Sequence, residues 1–189
     1  KCQSAGISPK AIVLTTTIRA LKYHGGADLK NLTEENTEAL KKGLPNLEKH
    51  IENVKQFGIT PVIAINKFVS DSDAEVAIIY EFAKSQNTRV ALAEVWAKGG
   101  KGALELAQHV IDIVDENNAN FTPMYHWNMN VQDKIKAIAT KIYAADDVEY
   151  APLAKRNLRT ISNLGHEHLP VCIAKTQKSL SDNAKLLGR

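Results

Sequence analysis

Three short runs, AIVLTT at 11–16, PVIAIN at 61–66 and VALAEV at 90–95, are apolar almost without interruption. A strand with one wet face alternates apolar with polar residues, whereas continuous apolarity marks a strand covered on both faces, the habit of parallel sheets. Two further runs, FTPMY at 121–125 and PVCIAK at 170–175, read the same way, the first with the weakest pattern. Between the runs the apolar residues recur at helical spacing, so strand and helix alternate along the chain. That order predicts an α/β fold: a largely parallel sheet with helices on both faces, joined by crossover connections.

The helices can be placed from their caps and stripes. Leu47, Ile51 and Val54 form one stripe after Pro45, and Gly58 sits where a left-handed C-terminal cap is wanted. Gly43 and Pro45 interrupt the pattern upstream, and a residue before proline is pushed away from helical dihedrals, so 33–42 reads as a separate short helix. Ser72 and Glu75 have capping-box spacing, followed by Val76, Ile79, Phe82 and Ala83 on one face. Further helices are expected over 102–117, from near Asn130 through Ile135, Ile138 and Ile142, and up to Gly165. One α/β domain over 1–189 is expected, the alternative division being an α/β core at 1–120 and a strand-helix-strand extension at 121–189.

Hydrophobic residues at 44% and charged residues at 24% are those of an ordinary folded chain. A net charge of +3 is spread over helices that also carry Glu and Asp, which argues against a nucleic-acid footprint. No apolar run approaches the roughly 20 residues needed to cross a bilayer. Cys2 and Cys172 are the two cysteines, and Cys172 within LPVCIA reads as a small buried thiol, so a reduced, cytoplasmic setting is expected. The start KCQSAG, without Met, and the end LLGR suggest a piece of a longer chain.

Open parallel sheets bind ligands beyond the carboxyl ends of their strands. The loops to search are therefore TTTIRALKYHGG, INKFVSDSD, VWAKGGKG, YHWNMN and AKTQKSLSD. AKGGKGAL lacks the spacing and the hydroxyl of a Walker phosphate cradle, although free amides at a helix start still attract anions. INKF has the beginning of a guanine-reading element, but Val69 stands where its carboxylate belongs, so a GTPase is excluded. Phe68 and Trp96 each follow a strand end and could face each other across a slot for a flat ring, the bland alternative being two core residues. Arg19, Lys22 and His24 could hold an anion, as could Lys98 with Gly99 and Gly100, and Lys175 near Lys178 and Asp182. The six histidines make no metal spacing with Cys2 or Cys172, and no metal site is expected.

IRALKYHGG, GLPNLEKHIENVKQFGITPVIAINKF, EVWAKGGKGALELA, LPVCIAKTQKSLSD and the terminal LLGR together resemble formate-tetrahydrofolate ligase, in the same order over nearly the whole chain. The resemblance implies P-loop-NTPase-like, Rossmann-like layers and an ATP-dependent, ADP-forming carbon-nitrogen ligase of one-carbon metabolism. ATP phosphorylates formate, and N10 of tetrahydrofolate captures the formyl phosphate. Magnesium, a monovalent cation and a homotetramer also belong to what it implies. The family's phosphate loop is absent from this sequence, which therefore looks like a middle-to-C-terminal portion, inactive alone. By position, Phe68 and Trp96 match the aromatic pair that sandwiches the folate or nucleotide ring, and Leu92 matches an apolar wall residue. Val69 stands where many members have proline, which relaxes that loop. Two rival classes are a non-catalytic α/β module binding a nucleotide or pterin, and a structural or oligomerisation domain with both aromatics buried.

Overall fold

The computed structural model describes residues 5–174, 179–181, 183 and 185–188. Its centre is a parallel sheet of three strands in the order β1 (Val13–Thr16), β2 (Val62–Asn66) and β3 (Arg89–Ala93). Val62 pairs with both Val13 and Arg89, and the register runs up to Thr16 opposite Ile65 and Asn66 opposite Ala93. β2 lies in the middle, and Val62, Ile63, Ala64 and Ile65 are all buried, as its unbroken apolarity requires.

Two helices precede β2: α1 (Ile18–His24) and α2 (Thr37–Lys55). Between β2 and β3 runs α3 (Asp73–Ser85). After β3 come the single turn α4 (Val95–Lys98), a 3-10 stretch over Gly99–Ala103, and α5 (Leu104–Glu116). The core joins Ile18 and Leu21 of α1, Leu40, Leu47 and Ile51 of α2, Ile63 and Ile65 of β2, and Val76, Ile79 and Ala83 of α3. α5 packs along β3 and β2. No described helix is long and apolar enough to cross a membrane.

The break expected at Gly43 and Pro45 does not occur: α2 is one helix of 19 residues with Pro45 inside it. Gly43 is a packing residue. A Cβ on it would lie 1.9 Å from the Leu21 carbonyl oxygen, and one on Gly25 would lie 1.7 Å from that of Ala39. The backbones of α1 and α2 therefore touch, and the burial won at this crossing holds the helix through a proline that propensity alone would use to end it. Gly58, at φ 73°, does adopt the left-handed conformation, and a Cβ there would meet the Asn120 carbonyl at 2.0 Å.

Beyond Asn117 the chain forms α6 (Val131–Tyr143), capped by Asn130, and α7 (Pro152–Asn163), with Gly165 at φ 71° just past its end. The strand expected at 121–125 is absent, and so is the one expected at 170–175 over its described residues 170–174, Lys175 lying outside them. Their backbone groups find side chains instead of a ladder. The Tyr125 hydroxyl accepts from the Val171 amide at 2.9 Å and donates to its carbonyl at 3.0 Å. Lys141 donates to Met124 O, and the fully buried Lys134 to Glu167 O and Leu169 O. Cys172, outside any strand, is exposed and free rather than buried. Near the end of the chain, the buried Asn46 donates to Gly188 O at 2.8 Å, and Gly188 N–H donates to His24 Nδ1 at 3.1 Å.

Candidate functional site

The carboxyl ends of the three strands carry the loops picked out by sequence. After β1, Thr17 caps α1 by accepting from the Ala20 amide, which starts a helix whose first turn presents Arg19. After β2, Lys67–Ser72 form a tight loop: Asp71 N–H donates to Phe68 O at 3.0 Å, and Phe68 N–H donates to Asp71 Oδ2 at 2.8 Å. This reciprocal closure fixes the backbone that bears the Phe68 ring. Lys67 pairs with Asp73 at 3.1 Å, and Ser72 and Glu75 complete the capping box of α3.

Arg19 and Phe68 meet. The guanidinium carbon stands 4.3 Å from the ring centroid, and Nη2 donates to Ser70 Oγ at 3.1 Å. Arg19 Nε is buried with no hydrogen-bond partner among the described residues, so the ring face is what it has in place of water. Such contacts contribute about 0.5–2 kcal/mol, the larger figure when desolvated.

A fully buried ion pair anchors this corner. Lys22 Nζ lies 2.8 Å from Glu75 Oε1, both side chains being 0% exposed, and also donates to Glu34 O at 2.7 Å. Glu75 accepts in addition from the amides of Asn36 and Ser72. Burial pushes the Glu75 carboxyl up, but the Lys22 hydrogen bond and those two amides outweigh it and hold the group below the ordinary glutamate range. Lys22 is thereby removed as an anion ligand, and His24, which accepts from Gly188, faces the end of the chain. The capping box was legible as SDAE; that the same glutamate would neutralise Lys22 was not, since no local spacing relates them.

After β3 the loop is closed by Glu94 N–H donating to Gly102 O at 2.9 Å, and a Cβ on Gly102 would lie 2.5 Å from Glu94 O. Gly99 has φ 59° and ψ −148°, backbone territory almost confined to glycine. Gly99 and Gly100 have open space around them, and Lys98 Nζ pairs with Glu94 at 2.5 Å. The glycine run is thus a turn, and it aims α4 outward. Trp96 on α4 is 87% exposed, Phe68 is 37% exposed and Val69 is 89% exposed, so neither aromatic is a core residue. Leu92, paired with Ile65 in the sheet, is partly buried against the core. Lys175, Lys178 and Asp182 lie outside the described residues.

A cleft of about 730 Å³ opens at the other end of the sheet, beside Pro61, Arg89 and His109, and contains neither aromatic. Its polar groups are largely satisfied already, Arg89 by Glu116 and Lys10 by Asn117. The carboxyl end, where adjacent strands deliver exposed aromatics, is the better candidate for function.

The fold is a parallel α/β sheet with an exposed aromatic just beyond the carboxyl end of each of two neighbouring strands. The family model described as Formate--tetrahydrofolate ligase matches residues 1–189, the full length of the sequence. The chain belongs to the formate-tetrahydrofolate ligase family.

Proposed function

We propose that this chain supplies the tetrahydrofolate ring-binding part of a formate-tetrahydrofolate ligase, with Phe68 and Trp96 as the two walls and Leu92 and Val69 beside them. The observation that carries it is the register of β2 and β3. Asn66 stands opposite Ala93, so Phe68 and Trp96 leave the same end of adjacent strands, and both remain accessible. Stacking on such rings adds about 0.5–1.5 kcal/mol to the burial of ligand surface.

The chemistry explains why a ring needs holding. Formate is a poor acyl donor until an oxygen attacks the γ-phosphorus of ATP and ADP departs. N10 of tetrahydrofolate then attacks the formyl carbon, phosphate leaves and N10 gives up its proton, yielding 10-formyltetrahydrofolate. Fixing the pterin ring aims N10 at the acyl carbon, the kind of orientation that removes entropy from a two-substrate step. ATP comes as its magnesium complex, and a monovalent cation assists the complete enzyme. Lys98, Gly99, Gly100 and Lys175 remain candidates for the anionic parts of the substrates. Homotetrameric assembly and a cytoplasmic location complete the reading, supported by family membership.

Two measurements test it. By calorimetry, Trp96→Ala weakens tetrahydrofolate binding at least tenfold, about 1.4 kcal/mol, while an unchanged dissociation constant would take Trp96 out of the site. Because the sequence holds no Walker cradle, this chain alone, given formate, ATP and tetrahydrofolate, yields no ADP above background; steady ADP release would contradict the division of labour.

A further inference from the structure

We propose that Arg19 is a positioning residue for the folate slot: it occupies one face of the Phe68 ring and so leaves the opposite face as the wall against which a ligand ring stacks. The inference rests on the ring-binding reading above and adds to it a residue that acts through Phe68.

Four observations converge on it. The guanidinium lies over the ring at 4.3 Å, which is a face contact and excludes a second flat group from that side. Its guanidinium, which comes from α1, is tied by the Ser70 hydroxyl at 3.1 Å to the same loop that bears the ring. Its Nε is buried without a hydrogen-bond partner among the described residues, so the group is committed to the ring rather than reaching for solvent. One helical turn on, Lys22 is locked to Glu75 of α3, which holds α1 and the start of α3 in fixed relation, with the Phe68 loop between β2 and α3. A phenylalanine 37% exposed on a loop would otherwise be free to rotate. With one face filled, the ring presents its other face without paying for that order on binding.

A double-mutant cycle on the 189-residue chain tests the assignment, using tetrahydrofolate as the titrant and thermal melting as the fold control. Arg19→Met keeps the apolar stem and removes the cation; Arg19→Lys restores the charge. The expected result is about fivefold weaker binding for Arg19→Met, partial recovery for Arg19→Lys, and no further loss when Arg19→Met is added to Phe68→Leu. Additive losses would overturn the proposal, because Arg19 would then touch the ligand itself as an anion contact. Unchanged affinity in Arg19→Met, with Phe68→Leu weakened, would overturn the role of Arg19 alone. Unchanged affinity in Phe68→Leu, or no saturable binding by the unmodified chain, would overturn the ring-site reading and this inference with it.

Discussion

Lys22 and Glu75 show how much a single buried pair can decide. Removing one partner of such a pair leaves a charge in a dry site and costs about 3–5 kcal/mol, whereas replacing both with apolar residues costs far less. Glu75→Gln is therefore expected to lower unfolding stability by several kcal/mol near neutral pH. The lowered carboxyl pKa gives the effect a direction in pH. A glutamate held below its unfolded value of 4.5 contributes stability that is complete above that value and is lost as pH falls through the folded one. The stability gap between the unmodified chain and Glu75→Gln should thus narrow as pH falls below about 4.5, as followed by urea unfolding at a series of pH values; a gap that stays constant or widens on acidification would contradict it. At this scale the sequence was half legible. Phe68, Trp96 and Arg19 stand out by type and place, and Ser72 and Glu75 by local spacing. Ser70 as the anchor of Arg19, and Glu75 as the partner of Lys22, depend on contacts between segments far apart in the chain.

Among the elements, the three central strands follow from apolar runs with ends within two residues of those expected, α3 starts at its capping box and α5 falls within two residues of the expected 102–117, whereas α1 and the single turn α4 were not marked by the pattern. α6 and α7 stand where they are expected, from Asn130 and up to Gly165, but α2 and the two C-terminal strand runs do not follow, for two different reasons. Gly43 and Pro45 are breakers by intrinsic preference, but the contact of α1 with α2 needs a residue without a side chain at Gly43, and packing overrides preference. Gly43→Ala should therefore destabilise the chain by about 1–3 kcal/mol in denaturant unfolding, although alanine is the better helix former. A neutral or stabilising result would mean that the helices part easily. FTPMY and PVCIA satisfy the composition of strands, yet Tyr125 takes both backbone groups of Val171 and lysines take the neighbouring carbonyls. An apolar run states that burial is wanted; it does not state which donors and acceptors will satisfy its backbone.

For the molecule as a whole, alternation of strand and helix foretold the layered α/β plan, and the ordered set of motifs foretold the family that the full-length match confirms. The parallel register of β2 and β3 sends the segments bearing two aromatics that are distant in sequence off the same end of the sheet. Exposure of Trp96 at 87% makes it a sensitive reporter of anything that covers it. The most direct measurement is a fluorescence titration of the Trp127→Phe chain, in which Trp96 is the one remaining tryptophan, with tetrahydrofolate and, separately, with magnesium-ATP. Saturable quenching by tetrahydrofolate, removed by Phe68→Leu, is the predicted result. No response to tetrahydrofolate, or quenching that Phe68→Leu leaves intact, would contradict the claim that these two strand ends form the folate slot.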